Sequence, residues 1–363
     1  MKTAEKLSEI MFTLMAIVGT RPQYIKLAPI YHAIAKMDNV KLIIVDTGQH
    51  YDDEMSQFIL DNLEIQNIDY NLGIKETSHA IQTGRMMIGL EPLLLQHKID
   101  HCIVFGDTNS TISGAIVARK LKIPTSHVEA GIRMHDINMA EELNRRISDS
   151  ICNYLFAPSQ IAVENLNKEN QMGKIFFSGD IMFDAVKMFQ KNMSESKNIR
   201  EVIPKGTKYI FMTLHRAENV DDPVILKTTF ENLKKVPYKI VFPSHPRTRK
   251  RINENNISIP NNLIILNPLP YLELLYHVKE SELIITDSGG LQKEAYYLGK
   301  RSVVLFPETP WPEIEKFKAI ILASPRNIAE KVNSWIGKEI DNSERPYGNG
   351  NSTDIILKTI LPQ

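Results

Sequence analysis

Only two of the 363 residues are cysteine, Cys102 and Cys152, and only two are tryptophan. Two cysteines cannot build a disulfide framework or a structural metal site of the usual Cys/His spacing. Both fall in segments that read as buried strand or helix, so they serve as small apolar fillers in a reducing compartment. Net charge is also missing, since 43 Lys plus Arg balance 43 Asp plus Glu. No global field therefore draws the chain to nucleic acid or to an anionic membrane. No apolar run approaches the roughly 20 residues of a membrane span, and the charged Met1 to Ile10 segment lacks the apolar core of a signal peptide. A cytoplasmic protein without membrane insertion is expected. H-E-x-x-H, G-x-S-x-G, G-x-G-x-x-G and the P-loop pattern are all absent, which removes the usual zinc-protease, hydrolase-elbow, dinucleotide and P-loop readings and gives no metal site.

What is present is a repeated alternation. A chain this long exceeds the roughly 100 to 200 residues of one domain, so two are expected. Short β-branched runs recur at Thr13 to Val18, Leu42 to Val45, Cys102 to Phe105, Ser126 to Val128, Tyr154 to Ala157 and Ile175 to Phe177. Stretches with helical spacing separate them, such as Asn109 to Leu121, where Ile112, Ala115 and Ile116 share a face. Periodicity fades over Gln190 to Lys208, and a second series follows at Tyr209 to Thr213, Lys239 to Pro243, Leu263 to Leu266, Leu283 to Thr286, Ser302 to Phe306 and Ile320 to Ala323. The expected fold is α/β, two Rossmann-like domains facing across a cleft, with boundaries 1–185 and 186–345 and a C-terminal helix over 346–363.

In doubly wound sheets ligands bind outside the carboxyl ends of the strands, so strand-end residues carry the most weight. Asp287-Ser288-Gly289-Gly290 turns from a strand into a helix. Glycines let backbone amides approach a phosphate, and the helix start adds positive potential. The same four residues also suit a plain Gly-rich helix cap. Glu294 stands further along that helix, where a carboxylate can accept from ribose hydroxyls. Arg21 and Lys26 follow the first strand and can reach an anion or be ordinary solvated charges. Gln49 and His50 follow the second strand. Asp107, Glu129 and Glu141 come after successive strands; any one can be a helix cap, but three together favour acid and base work. Arg145 lies one turn beyond Glu141. The second half contributes His215-Arg216 and His245-Pro246-Arg247, and histidine can donate or accept a proton near neutrality.

These motifs, from Gly19-Thr20-Arg21-Pro22 to Pro346-Tyr347-Gly348-Asn349-Gly350, resemble in order and spacing the non-hydrolysing UDP-N-acetylglucosamine 2-epimerase family over nearly the whole chain. The resemblance implies a GT-B fold, a homodimer, a C-terminal helix packed back on the first domain, a UDP-sugar substrate, and no metal or redox cofactor. It also implies inversion at C2 by elimination of UDP and re-addition through a 2-acetamidoglucal. Asp107, Glu129, Glu141 and His215 match the family's catalytic positions, with Glu129 and Glu141 expected to move the proton from buried positions and Asp107 to orient or relay. Arg21, Lys26, His215 and the Ser288, Gly289 and Gly290 amides are then expected to hold the diphosphate and Glu294 the ribose. Gln49, His50, Arg145, Arg216, His245 and Trp311 are candidates for sugar contacts or a second nucleotide-sugar site.

The chain departs from the family pattern at Gln23, where many members have glutamate, at Ala140, where they have proline, and at Trp311, where they have arginine. Gln23, Gln49-His50-Tyr51-Asp52 and Trp311 resemble the branch acting on UDP-2,3-diacetamido-2,3-dideoxyglucuronate, which is the alternative substrate. Members activated by a second UDP-N-acetylglucosamine carry Q-H-x-x-Q; its incomplete match here implies weak or absent activation. The competing readings are a GT-B glycosyltransferase, a non-catalytic nucleotide-sugar sensor and a hydrolysing 2-epimerase.

Overall fold

The computed structural model describes residues 11–49, 59–76, 78–340 and 343–362. His50, a candidate contact residue, lies outside them. By contacts the chain divides into two compact units, Met1–Ala185 with Tyr347–Gln363, and Val186–Pro346.

The first unit is built on β1 (Phe12–Val18), β2 (Val40–Asp46), β3 (Tyr70–Asn71), β4 (His101–Phe105), β5 (Thr125–Val128), β6 (Tyr154–Ala157) and β7 (Lys174–Phe177). They pair in parallel in the order β3-β2-β1-β4-β5-β6-β7. Helices cover both faces of such a sheet, so its central strands are apolar on both sides rather than alternating. Leu14 to Val18 and Cys102 to Phe105 are accordingly fully buried. The second unit repeats the arrangement with β8 (Tyr209–Thr213), β9 (Lys239–Pro243), β10 (Leu263–Leu266), β11 (Leu283–Thr286), β12 (Ser302–Val304) and β13 (Ile320–Leu322), in the order β10-β9-β8-β11-β12-β13. Its core gathers Ile210, Met212, Phe230, Phe242, Leu283 and Ile285. In each sheet the strand order reverses beside the first strand, between β1 and β4 and between β8 and β11. A doubly wound sheet opens a crevice at that reversal, and the candidate residues cluster in the turns that leave those strands.

Three elements differ from the pattern expected from sequence. The two-residue β3 is too short to leave a hydrophobic period. Within the stretch read as aperiodic stands helix Lys197–Val202, anchored by buried Ile199 and by a Ser196 amide that donates to His277 Nε2 at 2.9 Å. Strand β12 stops at Val304 rather than Phe306, because after Leu305 the chain leaves the sheet.

The last helix, Ser352–Ile360, packs Ile356, Leu357 and Ile360 inward within the first unit. Its start is held by Asp184, whose carboxylate accepts the amides of Ser352 at 3.1 Å and Thr353 at 2.7 Å. Those amides have no intrahelical acceptor, and a carboxylate there also meets the positive end of the helix dipole. Replacing Asp184 by alanine is expected to cost about 1–2 kcal/mol, the usual worth of such a cap. Urea denaturation checks this, and an unchanged midpoint would show that the tail is held by its apolar face alone.

Candidate active site

At the first unit's switch point the chain turns at Gly19 and enters helix Arg21–Ile34, with Pro22 in its first turn. A side chain at Gly19 cannot fit, since its Cβ would lie 2.1 Å from Thr47 Oγ1 and 2.3 Å from Ser110 Oγ. Gln23 is buried and joins the two switch-point turns. Its Oε1 accepts the Gly19 amide at 2.9 Å, and its Nε2 donates to the Phe105 carbonyl at 2.8 Å and to the Thr108 and Thr111 hydroxyls. A glutamate here could not make those donations, so Gln23 serves as an internal tie between the two turns.

One turn later Lys26 Nζ lies 2.6 Å from Glu129 Oε1, with the two side chains only 7% and 11% exposed. Lys26, expected at a diphosphate, is paired here with a candidate catalytic carboxylate and fixes its rotamer. The pair packs on Gly106, whose φ is +64° and whose Cβ would stand 3.1 Å from Lys26 Nζ. Glu129 itself has φ +73°, a left-handed conformation that costs a non-glycine residue about 1–3 kcal/mol. It is held there because the Glu129 and Ala130 amides both donate to the Phe156 carbonyl at 3.1 Å. Such strain is retained where the surroundings over-determine a functional geometry.

Asp107 follows Gly106, partly exposed, and its Oδ2 accepts from Arg145 Nη2. Arg145 also bonds Glu142 Oε2 at 2.9 Å. Burial works against its charge, but Asp107 and Glu142 more than compensate and raise its proton affinity above the ordinary value. Arg145, a candidate for sugar contact, is thus committed to orienting Asp107. Glu141 is exposed on the first turn of helix Ala140–Ile151, which corrects the expectation of a buried acid. The buried glutamate is its neighbour Glu142, fully enclosed and bonded to Arg145, Arg146 and the Met134 amide. Gln49 Oε1 accepts from the Ser110 hydroxyl at 2.8 Å, beside the same turns. Arg21 is half-buried at the start of its helix.

In the second unit the corresponding turn is organised by Asp287, fully buried. It accepts the amides of His215 and Arg216, Asn219 Nδ2, and an approach of 3.1 Å from His215 Nδ1. His215 keeps 46% of its side chain exposed, and the Arg216 guanidinium lies 4.2 Å from the Phe306 ring centroid. His245 caps helix Pro246–Glu254 through the Arg247 amide; its own partial burial, then the charges of His215 and Arg247, lower its proton affinity.

Helix Gly289–Tyr297 starts from Ser288, whose hydroxyl accepts the Leu291 amide and whose own amide is bonded to Thr286 Oγ1. Of the three amides expected to face a phosphate, Ser288's is therefore already engaged, and those of Gly289 and Gly290 open the helix where no intrahelical carbonyl reaches them. A Cβ at Gly290 would meet nothing within 4 Å. Glu294 is buried and its Oε1 accepts from the Tyr271 hydroxyl at 2.9 Å. Trp311, a candidate sugar contact, is 4% exposed, its indole donates to the Gly289 carbonyl at 2.8 Å, and the buried Lys293 ammonium sits 3.8 Å from its ring centroid. The indole and the cation brace the glycine turn.

The first-unit turns present carboxylates and the second-unit turn presents histidines and helix-start amides, which suits proton transfer and anion binding respectively. Two parallel doubly wound sheets with these turns define a GT-B-like α/β protein, and a crystal structure of the glycosyltransferase VinC in complex with dTDP shares that fold at 12% identity and TM-score 0.51 over 96% of this chain. The chain belongs to the UDP-N-acetylglucosamine 2-epimerase family, whose profile matches residues 32–361. It is similar to a UDP-N-acetylglucosamine 2-epimerase of Methanocaldococcus jannaschii, 40% identical over 96% of this chain and 98% of that protein. A UDP-2,3-diacetamido-2,3-dideoxy-D-glucuronate 2-epimerase of Pseudomonas aeruginosa is 36% identical over 95% and 98%. The crystal structure of the M. jannaschii enzyme in complex with UDP-GlcNAc and UDP has TM-score 0.87 and 39% identity, covering 96% of this chain and 99% of that one.

Burial alone would raise the Asp287 carboxyl, but His215, the Arg216 amide and Asn219 outweigh it and hold it below the ordinary aspartate range. With the folded value depressed, its stabilisation is complete above the unfolded value of about 3.9 and is lost as pH falls through the folded value. Asp287→Asn is expected to lower stability at neutral pH and to flatten the acid limb of a stability-against-pH curve. An acid limb with wild-type slope would contradict this.

Proposed function

We propose that the chain is a non-hydrolysing epimerase that interconverts UDP-N-acetylglucosamine and UDP-N-acetylmannosamine at C2. The hydrogen at C2 is not α to a carbonyl, so the anomeric bond must weaken first. UDP leaves C1 with the bonding pair, oxocarbenium character acidifies C2, and a carboxylate takes the C2 proton as the C1–C2 double bond forms. A proton delivered to the opposite face of C2, with a β-phosphate oxygen returning to C1, completes inversion. Glu129 is assigned to proton transfer, with Glu141 as the second carboxylate and Asp107 orienting. Gly289, Gly290, His215 and Arg21 hold the diphosphate, and Glu294 the ribose. Stabilising the departing anion with fixed dipoles lowers the barrier without reorganisation. The observation that carries this reading is Glu129: a strained, largely buried carboxylate pinned by Lys26 in a chain of this family.

The alternative substrate, UDP-2,3-diacetamido-2,3-dideoxyglucuronate, is supported by the P. aeruginosa relative. Proton NMR with each nucleotide sugar separates the two, and the C2 epimer is expected without free sugar. Glu129→Gln should lower turnover by about 10²–10⁴-fold, the range for a positioned acid or base. Free N-acetylmannosamine as product, or a Glu129→Gln variant of wild-type rate, would overturn the assignment.

We place the enzyme in the cytoplasm, in keeping with two buried unpaired thiols, and propose that it works as a homodimer. On helix His79–Gln96, Ile81, Ile88 and Leu95 are 54%, 74% and 63% exposed at seven-residue spacing, an apolar stripe suited to a second copy. Ile88→Asp should yield monomers by analytical ultracentrifugation; a monomeric wild type would refute the dimer.

A further inference from the structure

Beneath the turns that carry Asp107 and Glu129 lies a histidine with no exposed surface, His127 on β5, whose two ring nitrogens both meet oxygen. Nε2 is 2.6 Å from the Gly106 carbonyl and Nδ1 is 2.7 Å from Asp149 Oδ1. A carbonyl oxygen cannot donate, so Nε2 carries a proton. A neutral imidazole has only one N–H, and then Nδ1 would need a proton from Asp149. Asp149 is ill suited to supply it. Its other oxygen accepts the Gly131 amide at 3.1 Å and stands 2.8 Å from Arg133 Nη1. The Arg133 guanidinium at that oxygen favours the ionised carboxylate.

We infer that His127 is a doubly protonated imidazolium and a positioning residue, its two donated bonds locking the Asp107 and Glu129 turns into one geometry. One bond fixes the Gly106 carbonyl, hence the peptide plane that carries Asp107. The other fixes Asp149, which through the Gly131 amide holds the chain two residues beyond the left-handed Glu129. The Gly106 amide closes the loop by donating to the Val128 carbonyl at 2.9 Å, between His127 and Glu129. The charged groups facing this core are Asp149 and Arg133, the latter bonded in turn to Glu169 at 2.8 and 2.6 Å. The nearby Cys152 thiol, pushed well above its ordinary value by burial and by the Asp149 charge, stays neutral. A buried cation between two acceptors is stable only when both bonds are made, so loss of either loosens both turns.

The test has two arms. In protein labelled with nitrogen-15 histidine, the ring signals that vanish in His127→Gln identify His127, and the wild-type enzyme at neutral pH is expected to show a directly bonded proton on each nitrogen. A single protonated nitrogen overturns the inference, whatever the enzyme turns over. The kinetic arm rests on the epimerase reading. Glutamine carries both N–H donors on one nitrogen and cannot span acceptors that face two separate ring nitrogens, so His127→Gln is expected to reduce kcat by about 10–100-fold, as small misplacements of reacting groups do, with KM and UDP affinity unchanged within about twofold. Wild-type kcat, or a parallel loss of UDP affinity, would refute the positioning role.

Discussion

Each unit hangs its functional turn on one buried aspartate bonded to a histidine and to backbone amides. In the first unit Asp149 holds His127, Arg133 and the Gly131 amide; in the second Asp287 holds His215, Asn219 and the amides of His215 and Arg216. A carboxylate without solvent is tolerated only when its oxygens are fully answered by donors, and the same low dielectric that makes it costly makes each bond directional and strong. Turns tied this way have little freedom to relax. The first unit can therefore keep Glu129 in a left-handed conformation, and the second can keep an exposed imidazole beside a helix start.

The two units present different kinds of charge at their turns. The first offers carboxylates braced by cations, Glu129 by Lys26 and Asp107 by Arg145. The second offers donors: the Gly289 and Gly290 amides, His215 and Arg216. The proposed elimination calls for a fixed set of dipoles for the departing anion and a carboxylate in a defined rotamer for the proton. Charge-balanced composition is consistent with recognition by such local arrangements rather than by the field of the whole protein.

Much of this was legible in the sequence because parallel sheets write themselves as β-branched runs and place their chemistry at the runs' ends. The strands at Tyr154–Ala157, Tyr209–Thr213, Lys239–Pro243, Leu263–Leu266 and Leu283–Thr286 have the bounds expected from pattern alone. Position along the chain does not say which way a side chain is engaged, however. Lys26 and Arg145 looked like cations for a ligand and are partners of carboxylates; Glu141 and Glu142 are adjacent, yet helix geometry exposes the first and buries the second. Trp311 resembled a sugar contact because arginine stands there in relatives, whereas its indole braces the Gly289 carbonyl 22 residues back. His127 and Asp149 left no signal beyond ordinary strand and helix residues, since what joins them is a contact between β5 and the helix that follows it.

The central claim is that Glu129 exchanges the C2 proton during elimination and return of UDP. Turnover of the accepted nucleotide sugar in deuterium oxide tests it most directly, with the recovered substrate and product read by NMR and mass spectrometry. The account predicts one deuterium at C2 of the epimer formed by the wild-type enzyme, and loss of that exchange in Glu129→Gln while UDP still binds. Epimer formed with its C2 hydrogen retained, or exchange at wild-type rate without the Glu129 carboxylate, would contradict it.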